Sequence, residues 1–169
     1  MLSALYVLRG VQCLPNGIGG VIMSLDCVHG QVRRDFVSKF GFPPWFPTAL
    51  GLFKLTQLAL NWIAGGQYVH VSQALFALQL GGAAFTHMVV EKPNPGIKGV
   101  LPVLVFFSTS VVVQTLNKKI GGLAMVLVIH LALSACGFIA GYGMLALGSG
   151  SSAAVAMSPV KWGRKRGFD

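Results

Sequence analysis

Of the 169 residues 54% are hydrophobic and only 10% charged, against roughly 25% charged in an ordinary soluble domain, so a water-facing surface cannot be assembled from this chain. Thirteen Lys and Arg against four Asp and Glu give a formal net charge of +9. The basic residues lie mostly between apolar runs and at the C-terminal end, where they read as topology signals and as attraction to anionic lipid rather than as a nucleic-acid surface.

The expected fold is all-α, an integral membrane bundle of four to five transmembrane helices over residues 1–147, with a polar, basic tail over 148–169. About 20 helical residues cross a hydrocarbon core, and five segments come near that length: 4–25, 47–64, 69–90, 99–116 and 121–147. Met1 to Val7 is already apolar, so a signal peptide's basic start is lacking, and any organelle-targeting sequence is expected to be gone or never to have existed. Within the first segment, Arg9 and Leu14-Pro15-Asn16-Gly17 predict a kink or a break.

The stretch from Asp26 to Phe46 is amphipathic. It is expected to lie on the membrane surface, anchored by Phe36, Phe40, Phe42, Trp45 and Phe46, with Arg33, Arg34 and Lys39 toward lipid headgroups or a partner. Ala64-Gly65-Gly66-Gln67 and Asn117-Lys118-Lys119 are tight reversals, and Lys92-Pro93-Asn94-Pro95-Gly96 bars helix continuation. Five spans place Arg33, Arg34, Lys39, Lys92, Lys98, Lys161, Arg164, Lys165 and Arg166 on one side and Lys118 and Lys119 on the other. The positive-inside rule then puts the tail inside and the N-terminus outside. Tail residues Lys161, Arg164, Lys165 and Arg166 are expected to meet the lipid surface or a partner.

Polar side chains inside lipid are costly and therefore candidates for function. Lys54, Gln57 and Asn61 share a helix face, which is either a polar path for a ligand or proton or a snorkelling lysine above two packing amides. His87 and Glu91 are one turn apart, and Lys54 enters from the same side. The three form a candidate cluster that holds a quinone headgroup, relays a proton, or simply fixes two helices as a neutralised ion pair. His130 near the bilayer midplane is a candidate haem or chlorophyll ligand. It has no partner at the same depth, so a neutral histidine bonded to a neighbouring helix is the more economical reading, and no metal cofactor is expected there. Gly81, Gly82, Gly137 and Gly141 give smooth faces for close helix approach, inside the bundle or against a partner subunit. Cys13, Cys27 and Cys136 have no metal-ligand spacing and read as small apolar residues. No GxxxxGK, HExxH or GxSxG motif is present, which sets aside P-loop enzymes, zinc hydrolases and serine hydrolases.

Phe40-Gly41-Phe42-Pro43-Pro44-Trp45-Phe46-Pro47, then Leu50-Gly51-Leu52-Phe53-Lys54, then Gly82-Ala83-Ala84-Phe85-Thr86-His87 before a Pro-containing loop, together resemble the DoxX-like family of small four-helix membrane proteins. The resemblance covers about residues 36–116. It implies a helical membrane fold and a spread of roles that includes a subunit associated with thiosulfate:quinone oxidoreduction, proteins of membrane redox stress and a receptor-assembly chaperone. Lys54 stands where that family usually carries an acidic residue, and the fifth apolar segment and basic tail extend beyond its four helices.

The expected function is that of a non-catalytic accessory, assembly or structural subunit of a membrane energy-transducing complex, respiratory or photosynthetic. A quinone-linked oxidoreductase subunit is the alternative and a small-molecule carrier the second alternative. Membrane lipids and other membrane-protein subunits are the expected partners, with bound lipid or quinone as the only cofactors. The mitochondrial inner membrane, the thylakoid and the bacterial plasma membrane all suit such a chain.

Overall fold

In the computed structural model the described backbone comprises residues 2–26, 30–91 and 96–156; the side chains of 2–3, 64, 96–98 and 150–156 are outside the description. It is helical throughout: α1 (Leu2–Leu25), α2 (Gln31–Ser38), α3 (Phe46–Trp62), α4 (Val69–Phe85), α5 (Gly96–Asn117) and α6 (Leu123–Ala156). A 3-10 turn, Ile63–Gly66, joins α3 to α4, and a π turn, Thr86–Val90, prolongs α4. Three stretches, Val69–Val90, Gly99–Asn117 and Leu123–Ser149, are long and apolar enough to cross a membrane. Neither α1 nor α3 is among them: α3 has 17 residues, and Arg9, Gln12 and Asn16 lower the hydropathy of α1.

Of the kink or break expected in the first segment, the break does not occur: α1 runs unbroken with Pro15 inside it. Proline removes one backbone donor and leaves one carbonyl without its helical partner, a local loss that the flanking turns and the packing against α3 absorb. The chain reverses where its residues tolerate a positive φ: Gly65 and Gly66 at 63° and 91°, and Lys118 and Gly121 at 53° and 48°. Pro47 in the first turn of α3 needs no backbone donor there.

Side-chain pairings set the helix directions. Arg9 meets Asn61 while Gly20 meets Gly51, so α1 and α3 are antiparallel. Gln57 pairs with Ser72, Ser110 with Gln73, and Ser110 with His130, which makes α3, α4, α5 and α6 successive antiparallel neighbours. Helices α4 and α6 lie parallel, Ala77 beside Ser134 and Phe85 beside Tyr142. The centre of the bundle is α4, which buries Val69, Ser72, Gln73, Phe76, Ala77, Leu80, Gly81 and Phe85. Large apolar side chains such as Val7, Leu14, Leu104, Val128 and Ile139 point outward, the reverse of a soluble bundle.

The four glycines singled out in the sequence act inside the bundle. A Cβ at Gly81 would collide with the Ser134 carbonyl, one at Gly137 with the Leu78 carbonyl, and one at Gly141 with the Phe85 ring. Gly82 faces Gly137 across the same seam. Backbone therefore packs on backbone between α4 and α6. Helix α6 also continues past residue 147, where the sequence turns polar, as far as Ala156. The tail residues Lys161, Arg164, Lys165 and Arg166, like Cys27, Lys92 and Lys98, lie outside the described residues or side chains.

Gly81→Ala and Gly137→Ala should each lower stability in detergent by about 2 kcal/mol or more, because the obstacle is backbone rather than a movable side chain. Gly143→Ala, which meets nothing within 4 Å, should be neutral or stabilising by about 0.5–1 kcal/mol through helix propensity. Thermal denaturation of the three variants side by side checks this.

Candidate functional site

Two features occupy the interior, a seam of polar side chains and an aromatic cavity. The seam begins on α1, where Arg9, Gln12 and Asn16 recur at helical spacing and are all buried. The Arg9 guanidinium donates to the Asn61 carbonyl and lies over the rings of Trp62, at 4.5 Å, and Tyr6, at 5.3 Å. Gly66 leaves the room it needs. Gln12 donates to Thr109 Oγ1 at 3.2 Å and accepts from Gln73 Nε2 at 2.9 Å. Ser110 Oγ, with one hydrogen, sits 2.8 Å from Gln73 Oε1 and 3.0 Å from His130 Nε2. His130 Nδ1 donates to the Val126 carbonyl at 3.0 Å. Both ring nitrogens thus lie within hydrogen-bond distance of protein groups, and the Ser110 contact links α5 to α6.

The cavity has a volume of about 420 Å³ and lies at the end of the bundle where α1 and α4 finish and α3 begins. Phe36, Phe40, Phe42 and Phe46 close one side, with ring centroids 4.8–6.5 Å apart wherever they touch. These rings were expected as anchors in the membrane surface. α2 and the turn after it fold over the bundle end, where Phe42 is only 2% exposed, Phe36, Phe40 and Phe46 are partly exposed and Trp45 is exposed. Pro43 and Pro44 deny this stretch a continuous helix, and Gly41, at φ 71°, approaches Gly148 of α6 closely. The cap is thereby pinned to the longest helix.

Four polar side chains reach the cavity wall: Lys54, Gln79, Thr86 and His87. Thr86 is spent on its own helix, donating to the Gly82 carbonyl at 3.0 Å. Gln79 donates to Asn16 Oδ1 at 3.2 Å, yet its Oε1 is buried without a partner. His87 Nδ1 contacts Glu91 Oε2 at 2.6 Å. A carboxylate only accepts, so Nδ1 carries the hydrogen and Nε2 remains for another group. The π turn lets the histidine and glutamate meet one turn apart while the chain leaves the bundle.

The anticipated Lys54, His87, Glu91 cluster is thus only partly assembled. His87 and Glu91 pair, and Lys54 shares the cavity with His87, but Lys54 makes no ion pair with Glu91. The reason is reach: Glu91 follows His87 around the last turn, away from the wall that α3 contributes. Gln57 and Asn61 also part from Lys54, turning into the seam beside Gln12 and Asn16 around a hollow of about 10 Å³, close to the smallest that admits one water. Sequence reading missed Gln12, Gln73, Gln79 and Ser110, although Arg9, Gln12 and Asn16 at i, i+3 and i+7 already announced a polar inner face on α1. Among the described residues no three His, Cys, Asp or Glu converge as metal ligands would.

A second hollow of about 430 Å³ between α4, α5 and α6 is apolar but for Ser134, whose hydroxyl is given to the Ala77 carbonyl. It offers nothing to a headgroup. Fold and cavity together define a class: an all-helical bundle, apolar outside, with an amphipathic chamber at one end. No family model, curated protein or solved structure matches the chain, and the site is read from its own geometry.

Ser110→Ala should cost roughly 1–2 kcal/mol, since it removes the one hydrogen that Gln73 Oε1 and His130 Nε2 share inside the bundle. Ser108→Ala, an exposed position bonded only within its own helix, should stay within about 0.5 kcal/mol of the parent. Unfolding in mixed detergent micelles measures both.

Proposed function

We propose that this protein is a small integral membrane subunit of four to five spans, DoxX-like in its core, whose work is to hold an amphipathic molecule within a larger membrane energy-transducing assembly. The observation that carries this reading is the chamber of about 420 Å³ with aromatic walls and Lys54, Gln79 and His87 at its edge. Its volume lies within the roughly 300–1,000 Å³ of small-molecule sites, and an apolar body with a few placed polar groups is how such sites are built. On this reading the role is accessory rather than catalytic: the bound lipid or quinone is held, and the helices around it are set in place.

A quinone-linked redox role is the second reading, favoured by one detail. The buried acceptor Gln79 Oε1 and the free His87 Nε2 are two sites a quinol's hydroxyl groups can donate to. Extraction of the protein from native membranes in mild detergent, with mass spectrometry of what co-purifies, tests the first reading. An amphiphile near one per protein, displaced in Ala140→Phe, which narrows the chamber, is expected; its absence rejects the reading. Loss of quinone-linked turnover in His87→Ala with the assembly intact transfers the assignment to the redox role.

Topology follows from the same proposal. Single cysteines placed at Arg33 and at Lys118 should label from opposite faces of sealed vesicles, and labelling from one face rejects the odd span count between them.

A further inference from the structure

The four carboxylate side chains of this sequence are Asp26, Asp35, Glu91 and Asp169. Three lie among the described residues, and each is already committed. Asp26 is 4.0 Å from Arg33, Asp35 is 3.1 Å from Lys39 and also accepts from Gln31, and Glu91 holds His87. Lys54, on the cavity wall, has no hydrogen bond or ion pair with any described residue. Its stem lies along α1, and its ammonium occupies space that Gly19 leaves open: a Cβ there would stand 3.1 Å from Nζ. An ammonium at the edge of an apolar chamber, with no counter-charge among the described residues, favours an anion beside it.

Resting on the reading of the chamber as an amphiphile site, we propose that its ligand is a single-chain amphiphile with an anionic head, a long-chain carboxylate, whose charge is balanced by Lys54. The chamber suits one such chain. Phe36, Phe40, Phe42 and Phe46 line it on the cap side, Met23 and Met144 supply adaptable apolar contacts, and Gly82 and Gly137 keep its floor smooth. The ammonium brings three donors to the carboxylate oxygens, and in this water-poor setting such a charge-assisted bond is shorter and stronger than a neutral one. His87 is already oriented by Glu91 and is the second polar group at the rim. A neutral head such as an alcohol or a quinone fits the same walls but leaves Lys54 uncompensated.

The test compares palmitate with hexadecanol, which share a chain and differ in charge, on the full-length protein in uncharged detergent above pH 8, by displacement of a fluorescent amphiphile. Palmitate should bind at least about tenfold tighter, the least a charge-assisted hydrogen bond supplies. Lys54→Met, which keeps the apolar stem, should erase that preference and leave hexadecanol within about twofold, while Lys54→Arg should retain most of it. Equal binding of the two probes to the parent overturns the anionic assignment and leaves the chamber as an amphiphile site. Failure of both probes rejects the chamber itself. Acetate should not compete, and competition by acetate at the same concentration would overturn the requirement for a chain.

Discussion

A polar side chain placed in an apolar bundle has to find its partners inside the protein, and Gln73 is where this chain meets that demand. From the middle of α4 its amide donates to Gln12 on α1 and accepts from Ser110 on α5, which in turn meets His130 on α6. Lipid offers no alternative partner, so each bond fixes a rotation as well as a distance. Ridges of leucine and valine slide past one another at little cost; an amide that must meet a particular hydroxyl does not. Once Gln73 is seated, the glycine faces of α4 and α6 come into register, Gly81 against Ser134 and Gly137 against Leu78. Backbone contact then gives the parallel pair its close fit.

The seam and the chamber divide the interior between them. Toward the end that carries Arg9, the polar groups of α1, α3 and α4 pair with one another in part, Arg9 Nε, Gln57 Oε1 and Asn61 Oδ1 staying without a partner, and the space left is about 10 Å³. Toward the other end the same three helices part around about 420 Å³, and here polar atoms are left over: Gln79 Oε1, His87 Nε2 and the Lys54 ammonium. The contrast lies within single residues. Gln79 gives its amide hydrogen to Asn16 in the seam and keeps its carbonyl oxygen for the chamber side. Spare polar atoms occur at both ends, and the chamber end also leaves room beside them.

How far the fold was legible follows from which signals are local. Long apolar runs and the glycine, proline and lysine punctuation between them located every long helix, because helix length and reversal depend on neighbours in sequence. The continuity of α1 through Pro15 was not legible, since it depends on packing against α3, and Gly20 fitting against Gly51 is a contact between residues 31 positions apart. For the site, Lys54 and His87 were found as polar residues in apolar runs, and they do share a wall. Glu91 pairs with His87 and not with Lys54, at the end of a π turn that no composition signal marks. The aromatic residues of the cap carry the same composition whether they face lipid or a chamber; only the fold of α2 over the bundle end decides between them.

The helices of the bundle differ in length. At about 1.5 Å per residue, the 17 residues of α3 reach about 26 Å, while the apolar stretch Leu123–Ser149 of α6, with 27 residues, reaches about 40 Å. A hydrocarbon layer of about 30 Å matches neither. On the proposed span count, with α3 crossing beside α6, lipid beside α3 would have to thin and lipid beside α6 to thicken, or α6 to lean. On that count the protein would be a wedge in the plane of the membrane, with a preferred direction of tilt. Its shallow flank would be the one that bears Lys54, so that the headgroup layer would come down toward that ammonium and the path of the proposed chain from the leaflet into the chamber would shorten.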